Sequence, residues 1–133
     1  MGGLAPCQGC DRSKADDVTI TVITLLKRRE GMSRADFRAY YEEKHRLIGE
    51  RVLTGYATRY VRRYLDPMDG EDQLCDADVV MEIDFPDTAT RDRCFADMSE
   101  PSVAAMIAED EEKLFDRSRI RSFSVTQHAS KLG

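Results

Sequence analysis

The stretch from Val18 to Leu26 constrains the fold of this chain more than any other. Its sequence, VTITVITLL, is rich in β-branched residues, and threonine supplies its only polar side chains. Such residues favour extended backbone, and a strand without a polar face is typical of a position that is buried on both sides. We therefore predict a central β-strand over residues 18–26, with both of its faces covered.

The elements predicted after this strand follow a known order. They are a helix over 33–53, strands over 57–65 and 78–85, helical stretches over 87–98 and 102–115, and a strand over 120–127. Strand, helix, strand, strand, helix, strand is the order of ferredoxin-like split βαβ domains. We therefore predict an α+β, ferredoxin-like domain in which helices cover one face of a four-stranded antiparallel sheet. A second copy of the chain is the simplest cover for the other face.

Composition and charge limit the classes of protein to consider. The 133 residues, of which 41% are hydrophobic, suit one soluble domain over 18–128, with a flexible leader over 1–17 and a short tail over 129–133. The net charge of -5 argues against nucleic-acid binding. No apolar run reaches the roughly 18 residues that a membrane span needs. The N-terminal residues do not resemble a signal peptide, so a cytoplasmic location is the default expectation.

The cysteines suggest neither a metal centre nor a redox site. Without an export signal, all four are expected to be free thiols. Cys7 and Cys10 have the spacing of a metal knuckle or a redox motif, but there is no second pair, and both precede any predicted element. There is also no glycine-rich phosphate loop. We therefore predict no metal and no nucleotide cofactor.

The helix predicted over residues 33–53 carries His45, one of two histidines in the chain. Ser33 is a suitable N-cap. At about 100° per residue, His45 shares one helix side with apolar residues, namely Phe37, Tyr41, Ile48 and Val52. This pattern leaves two interpretations open. His45 is either a structural histidine with ordinary partners or a general acid/base that faces a pocket.

Residues 26–45, which read LKRREGMSRADFRAYYEEKH, carry a family resemblance. A strand that ends in Lys-Arg is followed by glycine, a small hydroxyl cap, Phe37, adjacent tyrosines and His45. This segment resembles the opening of an EthD-family domain. Residues 59–61 are similar to the family's second strand. Residues 108–116 resemble its acidic segment, in which an aromatic residue precedes the last strand.

This resemblance implies an assembly and a site. It implies a homodimer in which two ferredoxin-like sheets pack face to face as a dimeric α/β barrel. It also implies a cleft for an aromatic or polyketide-like molecule and chemistry without metal or prosthetic group. His45 matches the family's helix histidine, and Asp110 and Glu111 match its acidic segment. His45 is thus the candidate acid/base, and Asp110 and Glu111 are candidates to orient its ring.

The predicted substrate-binding set combines four aromatic residues with Glu111. Tyr41 lies one turn before the histidine, where it would place a phenol beside the imidazole, but a core aromatic whose hydroxyl reaches water is the more common role. Tyr60 and Tyr64 share a strand face, which suits either an aromatic cleft or cross-strand packing. Phe37 lies on the same helix side as Tyr41.

Three hypotheses about function follow. The first is cofactor-independent acid/base catalysis of a cyclisation, dehydration or isomerisation, which makes the chain a lyase or isomerase. The second is a cofactorless monooxygenase, or an accessory protein in oxidative degradation. The third is a carrier or sensor that binds small aromatic ligands without turnover.

Overall fold

The computed structural model describes residues 19–133. The strands are β1 (Ile20–Leu26), β2 (Arg59–Tyr64), β3 (Val79–Phe85) and β4 (Arg121–Ser124). The first helix consists of α1 (Arg34–Tyr40), a π-helical turn (Tyr41–His45) and α2 (Arg46–Leu53). The others are α3 (Thr88–Met98), α4 (Pro101–Glu111) and a single 3₁₀ turn (Arg117–Arg119). The predicted leader over 1–17 lies outside the described residues, as do Cys7 and Cys10.

The four strands form one antiparallel sheet in the order β2-β3-β1-β4, which confirms the predicted ferredoxin-like α+β fold. β1 is central, as predicted. Val22, Thr24 and Leu26 are buried on its helix side, whereas the side chains on its other face are only partly buried.

The other face of the sheet mixes charged and apolar side chains. Arg59 lies 3.6 Å from Asp84, and Arg63 forms an ion pair with Glu82. The strand registers place apolar residues among these pairs, namely Ile23, Leu25, Val61, Val80 and Phe123. Within the described part of the chain, no helix covers this face.

The last helix ends four residues earlier than predicted, at Glu111 rather than at residue 115. The backbone that follows pairs with the segment after β1 instead of continuing the helix. The Arg29 amide donates to the Leu114 carbonyl at 2.9 Å, and the Asp116 amide donates to the Lys27 carbonyl at 2.8 Å. This pairing turns Leu114 and Phe115 into the core, where they are 0% and 4% exposed.

The π turn changes which residues of the long helix meet the sheet. In a regular α-helix, residues i and i+4 differ by about 40° around the helix axis. A row of residues spaced four apart from 37 to 53 would therefore turn by about 160° around the helix. One extra residue in a turn removes about 100° of that drift. Phe37, Tyr41, His45 and Leu53 are therefore all buried.

Gly49 belongs to this row as well. A Cβ atom at Gly49 would lie 2.6 Å from the Tyr60 hydroxyl oxygen, so any other residue requires that ring to shift. The predicted contact residues Ile48 and Val52 are only partly buried. Beyond His45, each residue that faces the sheet therefore lies one position later than a regular helix predicts, because the π turn contains one extra residue.

Candidate active site

His45 and Asp110 form a buried pair between the first helix and the end of α4. His45 Nδ1 lies 2.8 Å from Asp110 Oδ2, and the two side chains are 10% and 11% exposed. An ionised carboxylate only accepts hydrogen bonds, so Nδ1 carries the proton. In the neutral imidazole, Nε2 is then the basic nitrogen. No residue between 19 and 133 makes a hydrogen bond to Nε2.

Tyr40 binds the second oxygen of this carboxylate. Its hydroxyl donates to Asp110 Oδ1 at 2.5 Å. Burial raises the pKa of Asp110, but the hydrogen bonds from Tyr40 and His45 lower it by more, so the net pKa lies below the ordinary value. Burial and the bond to Asp110 raise the pKa of Tyr40 to about 12. At neutral pH the group therefore contains a neutral phenol and an ionised carboxylate.

Two aromatic rings fix the plane of the imidazole. Tyr41 and Phe115 meet the His45 ring edge-on, with centroids at 5.1 and 5.2 Å and interplanar angles of 87° and 89°. With Asp110 at Nδ1, these contacts leave the ring little freedom to turn. The orientation of the imidazole is therefore fixed before any ligand binds.

A second polar group lies between the π turn and β2. Arg62 donates two hydrogen bonds to Glu42, both at 2.8 Å, and the Tyr64 hydroxyl donates to Glu42 at 2.7 Å. The bond from Arg62 is the largest influence that holds the pKa of Glu42 below its usual value. The Arg62 guanidinium also lies 4.9 Å from the centre of the Tyr60 ring. This network fixes the tyrosines of β2 against the helix.

The structure places the predicted aromatic residues at different depths. Phe37 and Tyr41 are 1% and 0% exposed and belong to the core, so a ligand would touch them only if the core opened. The Tyr41 hydroxyl lies 3.1 Å from that of Tyr60. Tyr60 and Tyr64 are partly buried. Burial raises the pKa of Tyr41, Tyr60 and Tyr64. All three are therefore neutral phenols near neutral pH.

Glu111 does not join the histidine group. It lies 3.3 Å from Arg117 instead, because adjacent positions on a helix point about 100° apart. Three further polar residues of the site were absent from the predicted set, namely Tyr40, Glu42 and Arg62. For Arg62, the alternation of the β2 sequence was a usable signal, since the arginine shares a strand face with Tyr60 and Tyr64.

Residues 19–133 hold neither a metal-ligand cluster nor a membrane-spanning helix. No cluster of three or more histidine, cysteine or acidic side chains is arranged to hold a metal ion. No helix there has the length and hydrophobicity that crossing a membrane requires.

Comparisons with known proteins agree with this architecture. Residues 29–118 match the family described as the EthD domain. An ethyl tert-butyl ether degradation (EthD) family protein from Bacillus halodurans C-125 has a similar structure, with a TM-score of 0.60 and 11% identity over 83% of this chain and 99% of that chain. A Mesorhizobium loti protein of the DABB family, with a ferredoxin-like fold, has a TM-score of 0.53 and 10% identity over 84% of this chain and 99% of that chain.

A third structural neighbour is a variant of SnoaB, a cofactor-independent oxygenase from Streptomyces nogalater. Its TM-score is 0.51 at 12% identity, over 84% of this chain and 95% of that chain. At such identities these neighbours bear on the fold alone. No curated protein sequence matches the chain. Because the family match covers more than half of the sequence, the chain belongs to the EthD domain family.

Proposed function

We propose that this protein is a small-molecule enzyme in which His45 is the general acid/base and Asp110 is its positioning residue. The observation that carries the proposal is the 2.8 Å contact between His45 Nδ1 and Asp110 Oδ2 in a nearly buried setting. A carboxylate that holds one imidazole nitrogen leaves the other available for proton transfer and stabilises the imidazolium that forms.

The reaction is proton transfer beside a carbonyl group. Nε2 of His45 removes a proton from the carbon next to the carbonyl, and Asp110 stabilises the charged ring. The imidazolium then returns the proton to another carbon in an isomerisation, or to a departing hydroxyl in a dehydration or cyclisation. Such steps make the protein a lyase or isomerase, and they require no cofactor.

The substrate class is an aromatic or polyketide-like carbonyl compound. Tyr41 and Phe115 contact His45 edge-on from the core, at 0% and 4% exposure, so they orient the imidazole and do not contact the substrate. Tyr60 and Tyr64 add phenol groups that are not fully buried. Flat, conjugated molecules pack well against such rings. In this proposal Phe37 supports Tyr41 from the core.

Hydrogen–deuterium exchange tests the base directly. Aromatic ketones such as 1-tetralone are incubated with the protein in D₂O, and loss of the α-proton signal is followed by NMR. We expect the wild type to accelerate exchange and His45→Ala to lose about 10²-fold or more of that rate. His128→Ala, which changes the other histidine, is the matched control. Equal exchange by wild type and His45→Ala across a panel of such ketones would contradict the proposal.

A second candidate function is oxidation by molecular oxygen without a cofactor. The structural likeness to SnoaB is the observation that favours it. The same histidine would then deprotonate a phenol or enol, and the resulting anion would react with oxygen. Oxygen uptake with a dihydroxynaphthalene supports this candidate, whereas turnover that is unchanged under anaerobic conditions excludes it. A ligand recovered unchanged after long incubation would indicate a carrier or sensor.

We also propose that the protein is a homodimer through the sheet face that lies opposite the helices. Ile23 and Leu25 on this face are only partly buried, and Phe123 is 40% exposed. A second copy would cover them and build a dimeric α/β barrel. Light scattering should give twice the chain mass, and Leu25→Glu should give the monomer mass. A wild-type monomer at high concentration would contradict this arrangement.

A further inference from the structure

A groove of about 450 Å³ opens between α2, α3 and α4. Apolar side chains from all three helices line it, namely Val52, Met98, Val103 and Met106. This volume lies within the range of small-molecule sites, which are concave and largely apolar with a few polar groups. Neither the predicted site residues nor the family match assigns a role to this groove.

The helices that border the groove also carry the histidine pair. His45 lies seven residues before Val52, and Asp110 lies seven residues after Val103. At 1.5 Å per residue, each interval spans about 10 Å. The first helix and α4 therefore run antiparallel. The groove lies at one end of their contact, and the His45–Asp110 pair lies at the other end. His45 and Asp110 do not line the groove, so a ligand reaches the pair only if it extends about 10 Å along the helices beyond Val52 and Val103.

The polar groups of the groove indicate the charge of its ligand. The Tyr56 hydroxyl donates to Asp97, which occupies one acceptor of this carboxylate and leaves its negative charge in place, so the groove carries one charge of each sign. Arg51 is exposed, and no carboxylate lies within 4.0 Å of it among residues 19–133. An exposed arginine at the edge of an apolar groove suits a planar anionic group such as a carboxylate.

We propose that this groove binds the body of an elongated aromatic acid, with the acid group at Arg51 and the reacting carbonyl at His45. This inference rests on the proposed role of His45 and adds the substrate class. The apolar side chains hold the rings, and Arg51 selects substrates that carry an anionic substituent. Arg51 is a specificity residue here and takes no part in proton transfer.

Binding of 1-anilinonaphthalene-8-sulfonate, an aromatic anion, tests the groove by fluorescence titration. We expect Met106→Trp, which fills the groove, to weaken binding at least tenfold. Met68→Trp makes the same change at a fully exposed loop position and should leave binding unchanged. Arg51→Gln should weaken binding of the sulfonate about fivefold or more without affecting the neutral probe 1-naphthol. Lys131→Gln removes an equal charge elsewhere and should have no effect.

The outcomes separate this inference from the proposed function. His45→Ala should keep the binding of the probe while it loses proton exchange. If Met106→Trp is folded and binds the probe like the wild type, the groove is not the site, even where His45→Ala abolishes exchange. If Met106→Trp does not fold, Arg51→Gln decides, because an exposed side chain is not needed for folding. Equal loss of sulfonate and 1-naphthol binding in Arg51→Gln would refute the role in charge selection.

Discussion

Replacement of Asp110 by alanine should destabilise the fold by about 3 kcal/mol. The carboxylate accepts one hydrogen bond from His45 and one from Tyr40. A hydrogen bond to a charged group contributes about 1.5–3 kcal/mol when buried. Loss of the bond to His45 leaves a nearly buried nitrogen without a partner, which costs about 2 kcal/mol. Loss of the bond to Tyr40 costs about 1 kcal/mol, because the half-buried hydroxyl can bond to water.

Thermal and urea unfolding measure this loss. For a domain of this size, 3 kcal/mol corresponds to a fall in Tm of about 10 °C. Glu109→Ala is the matched control, since it removes an exposed carboxylate from the same helix. It should change the free energy of unfolding by less than about 0.5 kcal/mol. An Asp110→Ala variant as stable as Glu109→Ala would refute the view of Asp110 as a buried acceptor of two bonds.

The pH dependence supplies a second check on the same residue. In the folded protein, burial raises the pKa of Asp110, but its two hydrogen bonds lower it further than burial raises it. A carboxyl group whose pKa is lower in the folded state stabilises the folded protein. This contribution is complete above the unfolded pKa of about 3.9, and it is lost as the pH falls through the folded pKa. The stability difference between wild type and Asp110→Asn should therefore persist from about pH 7 to 5 and shrink as the pH falls below about 4, through the folded pKa.

Other substitutions test the surrounding structure. Gly49→Ala should lower the free energy of unfolding by about 1–3 kcal/mol in urea, although alanine favours helix, because the new Cβ would collide with the Tyr60 ring; an unchanged value would show that the ring moves aside. Asp78→Ala should destabilise by about 3 kcal/mol in the same assay, since Asp78 is 4% exposed and faces three cationic side chains. Tyr40→Phe should reduce proton exchange less than tenfold while it lowers Tm by a few degrees, about 1 kcal/mol; a loss as large as that in His45→Ala would make the phenol a participant in the reaction.

The order of elements and the helix caps could be predicted from the sequence because they depend on local patterns. Ser33 accepts a hydrogen bond from the Asp36 amide at 3.0 Å, and Asp87 accepts one from the Thr90 amide at 2.7 Å. Both contacts follow from residue type and spacing. Cys94, in the middle of the same helix as Thr90, lies in the core at 0% exposure.

The site could be predicted only in part, because its contacts join distant segments. The resemblance drew attention to His45 and Asp110, which the structure brings together across 65 positions of sequence. Their roles in catalysis stay a prediction. Tyr40 was missed because a regular wheel places it away from the apolar side, while its partner lies on another helix. The end of α4 was misplaced because backbone pairing with the segment after β1 outweighs helix propensity.

The π turn is the point at which the first helix can gain or lose one residue without a change in the segments on either side. The turn is equivalent to a regular helix with one residue inserted, so the segments on either side keep their places in space whether or not the extra residue is present. Deleting the exposed Glu43 should therefore leave Phe37 and Leu53 in the core and close the turn with ordinary α-helical hydrogen bonds. Homologous chains that differ by one residue here can then share the same core, and an alignment without a gap at this point would pair the wrong residues beyond it.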